Sequence, residues 1–183
     1  KLVWVNLDSA KNRGLELEIK HYLSSRMMLL ANTTLIDSEV VDTRLTAPIF
    51  SDERPMQGLS NELYNLQLTY ESAAHTVSLA YNHFSERLVS MRSADGKNKH
   101  AVYEQPFNSL NFNYKSSLYI EDSVFEFGFK VTNILNEKVE RKAALLAPSI
   151  ESARDPSLAD IRLPYDDYEV GVTYGVSITW KQY

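Results

Sequence analysis

The chain contains no cysteine, which excludes disulfide scaffolds, zinc ribbons and thiol catalysis without naming a compartment. It also lacks any run approaching the ~18 consecutive apolar residues of a membrane-spanning helix. That absence does not bear on a membrane β-barrel, whose alternating strands never build a hydropathy peak. Positive charge is not in excess: 19 Lys and Arg stand against 24 Asp and Glu, scattered along the chain, so no nucleic-acid surface is expected. No G-x-S-x-G elbow is present, and His21, His75, His83 and His100 show neither H-x-H nor H-x-x-x-H spacing. No enzymatic activity, cofactor or metal site is therefore expected. Apolar residues make up 44% of the 183, too many for a disordered chain and compatible with one domain.

What the sequence does have is alternation. In the closing stretch, Tyr168–Tyr183, residues Tyr174, Val176, Ile178 and Trp180 share one parity and Thr173, Gly175, Ser177, Thr179 and Lys181 the other. A period of two is a β-strand with one apolar and one polar face. The same pattern runs through Asn12–Ser24, with Leu15, Leu17, Ile19 and Leu23 opposite Glu16, Glu18, Lys20 and Tyr22. It recurs in Met27–Ile36, in Glu62–Glu71 (Tyr64, Leu66, Leu68, Tyr70), in Thr76–Phe84 and in Phe107–Lys115. Ser123–Thr132 sets Phe125, Phe127, Phe129 and Val131 against Glu126, Gly128, Lys130 and Thr132. Lys1–Asn6 reads as the end of a further strand, and Glu140–Ala147, rich in helix formers, as a turn or two of helix before Pro148.

Two regularities follow. The apolar faces carry no Lys, Arg, Asp or Glu, while the opposite faces carry Glu16, Glu18, Lys20, Glu126, Lys130 and Lys181. A charge at a lipid midplane costs roughly 2–4 kcal/mol, so a lipid-facing surface excludes it. A soluble barrel or sandwich with its apolar face inward alternates in the same way. The connections separate the two: short near Ser24–Arg26, long over 37–61, short at Ser72–His75, long over 85–104, short at Ser116–Asp122, long over 136–167. In an up-and-down meander all the short ones fall at one rim, as in outer-membrane barrels. The expected fold is all-β, an antiparallel up-and-down meander of seven to eight strands forming part of a transmembrane β-barrel. So few strands close only a narrow, filled barrel. An isolated piece should be an open curved sheet, or pair its edges with another copy.

Several stretches also resemble one family. Asn12-Arg13-Gly14-Leu15-Glu16-Leu17-Glu18 is similar to the R-G-(V/L)-E-L-E strand of TonB-dependent outer-membrane receptors. Arg54-Pro55-Met56-Gln57-Gly58-Leu59-Ser60, Val102-Tyr103-Glu104-Gln105-Pro106 with Leu110, Val131-Thr132-Asn133-Ile134-Leu135-Asn136 and Gly171-Val172-Thr173-Tyr174-Gly175-Val176-Ser177 resemble the same C-terminal region, in order. The resemblance implies that residues 1–183 are the last third of a 22-stranded wall whose plug and earlier strands lie upstream. It implies import of a siderophore, cobalamin, glycan or similar solute, in the outer membrane of a Gram-negative bacterium. The implied partners are outer-membrane lipid, the solute, the barrel-assembly machinery, and TonB through a missing N-terminal region. The start at Lys1-Leu2-Val3-Trp4, without Met or signal peptide, fits a piece of a longer protein.

On this reading Leu15, Leu17, Ile19, Leu66, Leu68, Phe125, Phe127, Phe129, Val176 and Ile178 face lipid. Tyr174, Trp180 and Tyr183 form the barrel-assembly signal. Tyr183 is out of phase with Trp180, so either the signal tolerates three extra residues or a bulge near Lys181 restores the phase. Arg44, Arg54, Arg87 and Arg92 are candidate ligand contacts in the long loops, beside a solvated-loop reading of the same charges. Asp166, Asp167 and Glu169 match no known Ca²⁺-loop spacing. The alternative function is a soluble β-barrel or sandwich that binds an apolar ligand or partner protein.

Overall fold

The computed structural model describes residues 9–41, 53–90, 101–144 and 162–182. They form strands β1 (Ser9–Ser24), β2 (Met27–Val41), β3 (Glu53–Arg54), β4 (Glu62–Glu71), β5 (His75–Phe84), β6 (Arg87–Ser90), β7 (Ala101–Glu104), β8 (Phe107–Ile120), β9 (Ser123–Thr132), β10 (Lys138–Ala144), β11 (Arg162–Glu169) and β12 (Thr173–Gln182). No helix occurs among the described residues.

The larger sheet runs β1-β2-β4-β5-β8-β9-β12, with β3 on the far end of β2. Every neighbouring pair is antiparallel. The sheet is open, ending at β1 on one side and β12 on the other. Three tight hairpins, β1–β2, β4–β5 and β8–β9, fall at the same rim. The turn at Glu121-Asp122 puts Glu121 at φ 46°. The long connections all leave the opposite rim, as alternation of strand direction requires.

At that rim a smaller 4-stranded sheet takes the order β11-β10-β7-β6. Its strands continue β12, β9, β8 and β5 beyond a break, so it prolongs the wall in the same order. Glu140–Ala144, expected as helix, is strand β10, paired with β7 and β11. The rest of that expected helix, 145–147, and the strand expected at Lys1–Asn6 lie outside the described residues. The long loops also contain β6, β7 and β11, and Ser116–Ile120, expected as a turn, belongs to β8.

Burial is concentrated in this prolongation. Leu88, Ala101 and Ala144 pack with Tyr103, and Val102, Val139 and Ala143 are buried as well, as is Val40 at the far end of β2. In the larger sheet the order is reversed. Along β4, Tyr64, Leu66, Leu68 and Tyr70 are exposed, while Asn65, Gln67 and Thr69 are half-buried. Across β9, Phe127 and Phe129 are exposed and Glu126 and Gly128 half-buried. A curled sheet crowds the side chains in its hollow, so the polar face is the concave one and the apolar face the convex.

Candidate functional site: an outward apolar band, a polar hollow and the seam above them

The register aligns the alternating strands into rows. On the convex face Leu29, Leu68, Leu79, Phe112, Val131 and Tyr174 are successive cross-strand partners. Phe129 meets Tyr114 and Val176, Phe127 meets Ser116 and Ile178, and Phe125 meets Leu118 and Trp180. All ten residues expected to face lipid lie on this side. Leu15 is 64% exposed, Leu66 47%, Phe127 41% and Ile178 67%. Phe125, stacked on Trp180 at 6.4 Å, is half-buried.

The band has edges. Tyr64 donates its hydroxyl to Glu62 at 2.9 Å, and Tyr81 to Asn108 Oδ1 at 2.7 Å, both toward the long-connection rim. Near the hairpin rim the Tyr114 hydroxyl bonds His75 Nδ1 at 3.0 Å, with the two rings stacked. On β4 the convex row starts at the charge of Glu62 and ends at Tyr70, in a strand 10 residues long. That length is about 30 Å along the strand, or about 23 Å along the normal at the usual ~40° tilt.

The concave face is a field of amides and hydroxyls. Glu18, Asn32, Asn65, Asn82 and Ser109 form one row. Asn65 donates to Asn32 at 2.5 Å and Asn82 to Ser109 at 3.2 Å. Toward the hairpin rim, Glu126 accepts from Lys181 at 2.8 Å with Lys115 at 3.7 Å. Between them opens a hollow of about 470 Å³ whose polar lining includes Thr76, Ser78, Asn113, Lys115, Lys130 and Ser177.

Where β8 and β9 part, side chains take over from the ladder. Asn111 Oδ1 accepts the Asn133 N–H at 3.1 Å, and the Glu137 carboxylate accepts from Asn108 N at 2.5 Å and Asn108 Nδ2 at 3.0 Å. Asn133, 5% exposed and at φ 55°, donates to the carbonyls of Gly171 at 3.1 Å and Glu137 at 3.3 Å. Gly171 has φ 73°, a conformation costing other residues about 1–2 kcal/mol. The V-T-N-I-L-N and G-V-T-Y-G-V-S stretches singled out in the sequence thus meet at one turn.

Above this seam a row of opposite charges crosses the smaller sheet: Arg87, Glu104, Arg141 and Asp166 are successive partners. Glu104, 8% exposed, accepts from Arg87 Nη2 at 2.5 Å and from Arg141 Nε at 3.2 Å. Burial opposes the charge on Arg141, but Glu104, followed by Asp166, raises its pKa above the ordinary value. Arg162 lies 3.8 Å over the Tyr103 ring and pairs with Glu86 at 3.3 Å.

The candidate ligand contacts divide accordingly. Arg87 is engaged by Glu104. Arg54 sits in β3, with Nη1 3.5 Å from the Pro55 carbonyl. Arg44 and Arg92 lie outside the described residues, as do His100 and Tyr183. Tyr174 and Trp180 share the convex face of β12, whose register runs unbroken to Gln182↔Ser123, so of the two alternatives for the phase of Tyr183 the bulge does not occur up to Gln182. Asp166 and Glu169 face Arg141 and Lys138 across β10–β11. Among the described residues no cluster of His, Asp or Glu is arranged to hold a metal. Glu104, Asn108 and Glu137 were not picked out from sequence as a set. The only signal was their place in or beside stretches resembling the family, because the partners lie 17 to 37 positions apart.

Comparisons with protein-family models, curated proteins and solved structures gave no match to this chain.

Proposed function

We propose that this chain is the C-terminal part of the barrel wall of a TonB-dependent outer-membrane receptor, importing a siderophore, cobalamin, glycan or similar solute. One observation carries the reading: the charge-free face is the convex one, and its large apolar side chains, among them Leu17, Leu66, Phe127 and Ile178, are exposed. A soluble module with its core between sheets would turn that face inward. Here the buried apolar cluster lies in the small sheet instead, around Leu88, Ala101 and Ala144. Membrane barrels show an apolar band of about 25 Å flanked by aromatics, with short turns at one rim and long loops at the other. Tyr64, Tyr81 and Tyr114 fit the flanking positions. The free edges of β1 and β12 are then sites where the remaining wall joins, or where an isolated piece pairs with another copy. TonB and the assembly machinery would act on the whole receptor.

The test uses Trp180, 60% exposed on the convex face. With Trp4 replaced by Phe, Trp180 is the single reporter. In vesicles of acyl-chain-brominated phosphatidylcholine its emission should shift to the blue and be quenched. A water-soluble monomer whose Trp180 emission ignores such vesicles would overturn the proposal.

A further inference from the structure

We propose that the concave hollow between β5, β8, β9 and β12 is a binding site for an oxyanion, a carboxylate or phosphate group of a small solute, with Lys130 and Lys115 as its cationic contacts. That the anion belongs to an imported solute rests on the receptor reading; the site itself does not. Thr76, Ser78 and Ser177 offer hydroxyls and Asn113 an amide beside the two ammonium groups, with Tyr114, Phe129 and Val176 completing the lining. The local charge is unbalanced. Glu126 is the carboxylate in this neighbourhood, and it is taken by Lys181 at 2.8 Å and shared with Lys115 at 3.7 Å. Lys130 makes no ion pair with any described residue.

Two glycines make the arrangement possible. A Cβ at Gly175 would stand 2.6 Å from Lys130 Cε and 2.8 Å from Cγ, so the lysine stem lies across the strand in the space that glycine leaves. A Cβ at Gly128 would collide with the Ser177 hydroxyl, which occupies the same kind of space. Lys130 is the cross-strand partner of both Asn113 and Gly175, and Gly128 of both Lys115 and Ser177. Donors from β8, β9 and β12 are thereby gathered on one patch of the sheet, with the Glu126 carboxylate beside it already paired to Lys181 and Lys115. Dispersed donors with spare positive charge suit an anion with several oxygens.

The experiment follows the full chain, its lysines ¹³C-dimethylated, in phosphatidylcholine vesicles by NMR. Inorganic phosphate and citrate are titrated in at constant ionic strength set by chloride. Saturable shifts of the Lys130 and Lys115 signals, with Lys11 and Lys138 unmoved, are expected. Lys130→Gln should weaken binding about three- to tenfold. Gly175→Ala, which displaces the stem but keeps the charge, should weaken it as well. Uniform drift of all lysine signals, or no saturation, would overturn the site. Association with vesicles without saturable anion shifts would sink the site and leave the membrane reading standing. Saturable shifts in a chain that stays in water would do the reverse.

Discussion

Placing a lysine in the middle of the convex band should cost far more than its exposure suggests. Ile178 is 67% exposed and Leu66 47%, both near the middle of 10-residue strands. If these faces met water, Ile178→Lys would lie within about 0.5 kcal/mol of neutral, as surface substitutions do. Leu66→Lys would cost about 1 kcal/mol for the half of the side chain packed on Ala31 and Tyr81. If they meet hydrocarbon, each costs about 2–4 kcal/mol, falling toward zero near the interfaces. Tyr70→Lys, at the hairpin rim, should therefore cost markedly less than Leu66→Lys, though Tyr70 is 37% exposed and no easier to replace by packing alone. Thr179→Lys, opposite Glu126 on the concave side, is the control and should be close to neutral. Urea unfolding in phosphatidylcholine vesicles, read by Trp180 fluorescence, gives the differences directly. Values under about 0.5 kcal/mol at Ile178, with no dependence on depth, would refute the outward-to-lipid argument.

Other consequences concern the small sheet and the seam. Glu104→Gln leaves Arg87 and Arg141 facing a neutral amide and should destabilise by about 2 kcal/mol, with amide exchange in β7 and β10 accelerating first. Asn133→Ala should cost about 2–3 kcal/mol, since it loses two carbonyl contacts and forces alanine to φ 55°. Asn133→Gly, which relieves the backbone alone, should recover only part of that in the same denaturation assay. The Lys138–Glu169 pair sets a pH window. The hydrogen bond from Lys138 lowers the Glu169 pKa below its ordinary 4.5, so that contribution is present above 4.5 and is lost as pH falls through the lowered value. The same contact raises Lys138 above 10.5, so its share is present below 10.5 and is lost as pH rises through the raised value. Amide protection of β11 should be flat between those limits, fall outside them, and weaken in high salt because both groups are exposed.

Strands with unbroken alternation were legible to the residue: Glu62–Glu71 and Ser123–Thr132 begin and end where the pattern does. The two faces were legible for the same reason, since one residue of slip would exchange Leu66 for Asn65 throughout β4. Legibility failed where the pattern broke. Leu118, Tyr119 and Ile120 are three apolar residues in succession after two serines, and only pairing with Ser123–Phe125 makes them strand. The four-residue β6 and β7 are too short for periodicity to register. The hollow was half legible: the concave position of Lys130 followed from parity, but its path over Gly175 depends on a register set between strands 45 residues apart.

Strand β10 shows why local preference lost. Lys138-Val139-Glu140-Arg141-Lys142-Ala143-Ala144 contains good helix formers, and a short helix there would satisfy propensity. Yet an isolated helix of that length is marginal in water, because nucleation costs more than two turns return. As a strand the same residues gain partners on both sides, β7 and β11, and Glu140 O also accepts from Gln105 N at 2.8 Å. Val139, Ala143 and Ala144 become buried, and Arg141 reaches both Glu104 and Asp166. A helix would present these groups to different sides and leave Glu104 with one arginine instead of two. The backbone therefore follows its neighbours, and the row of alternating charges that results ties the four strands of the small sheet to one another.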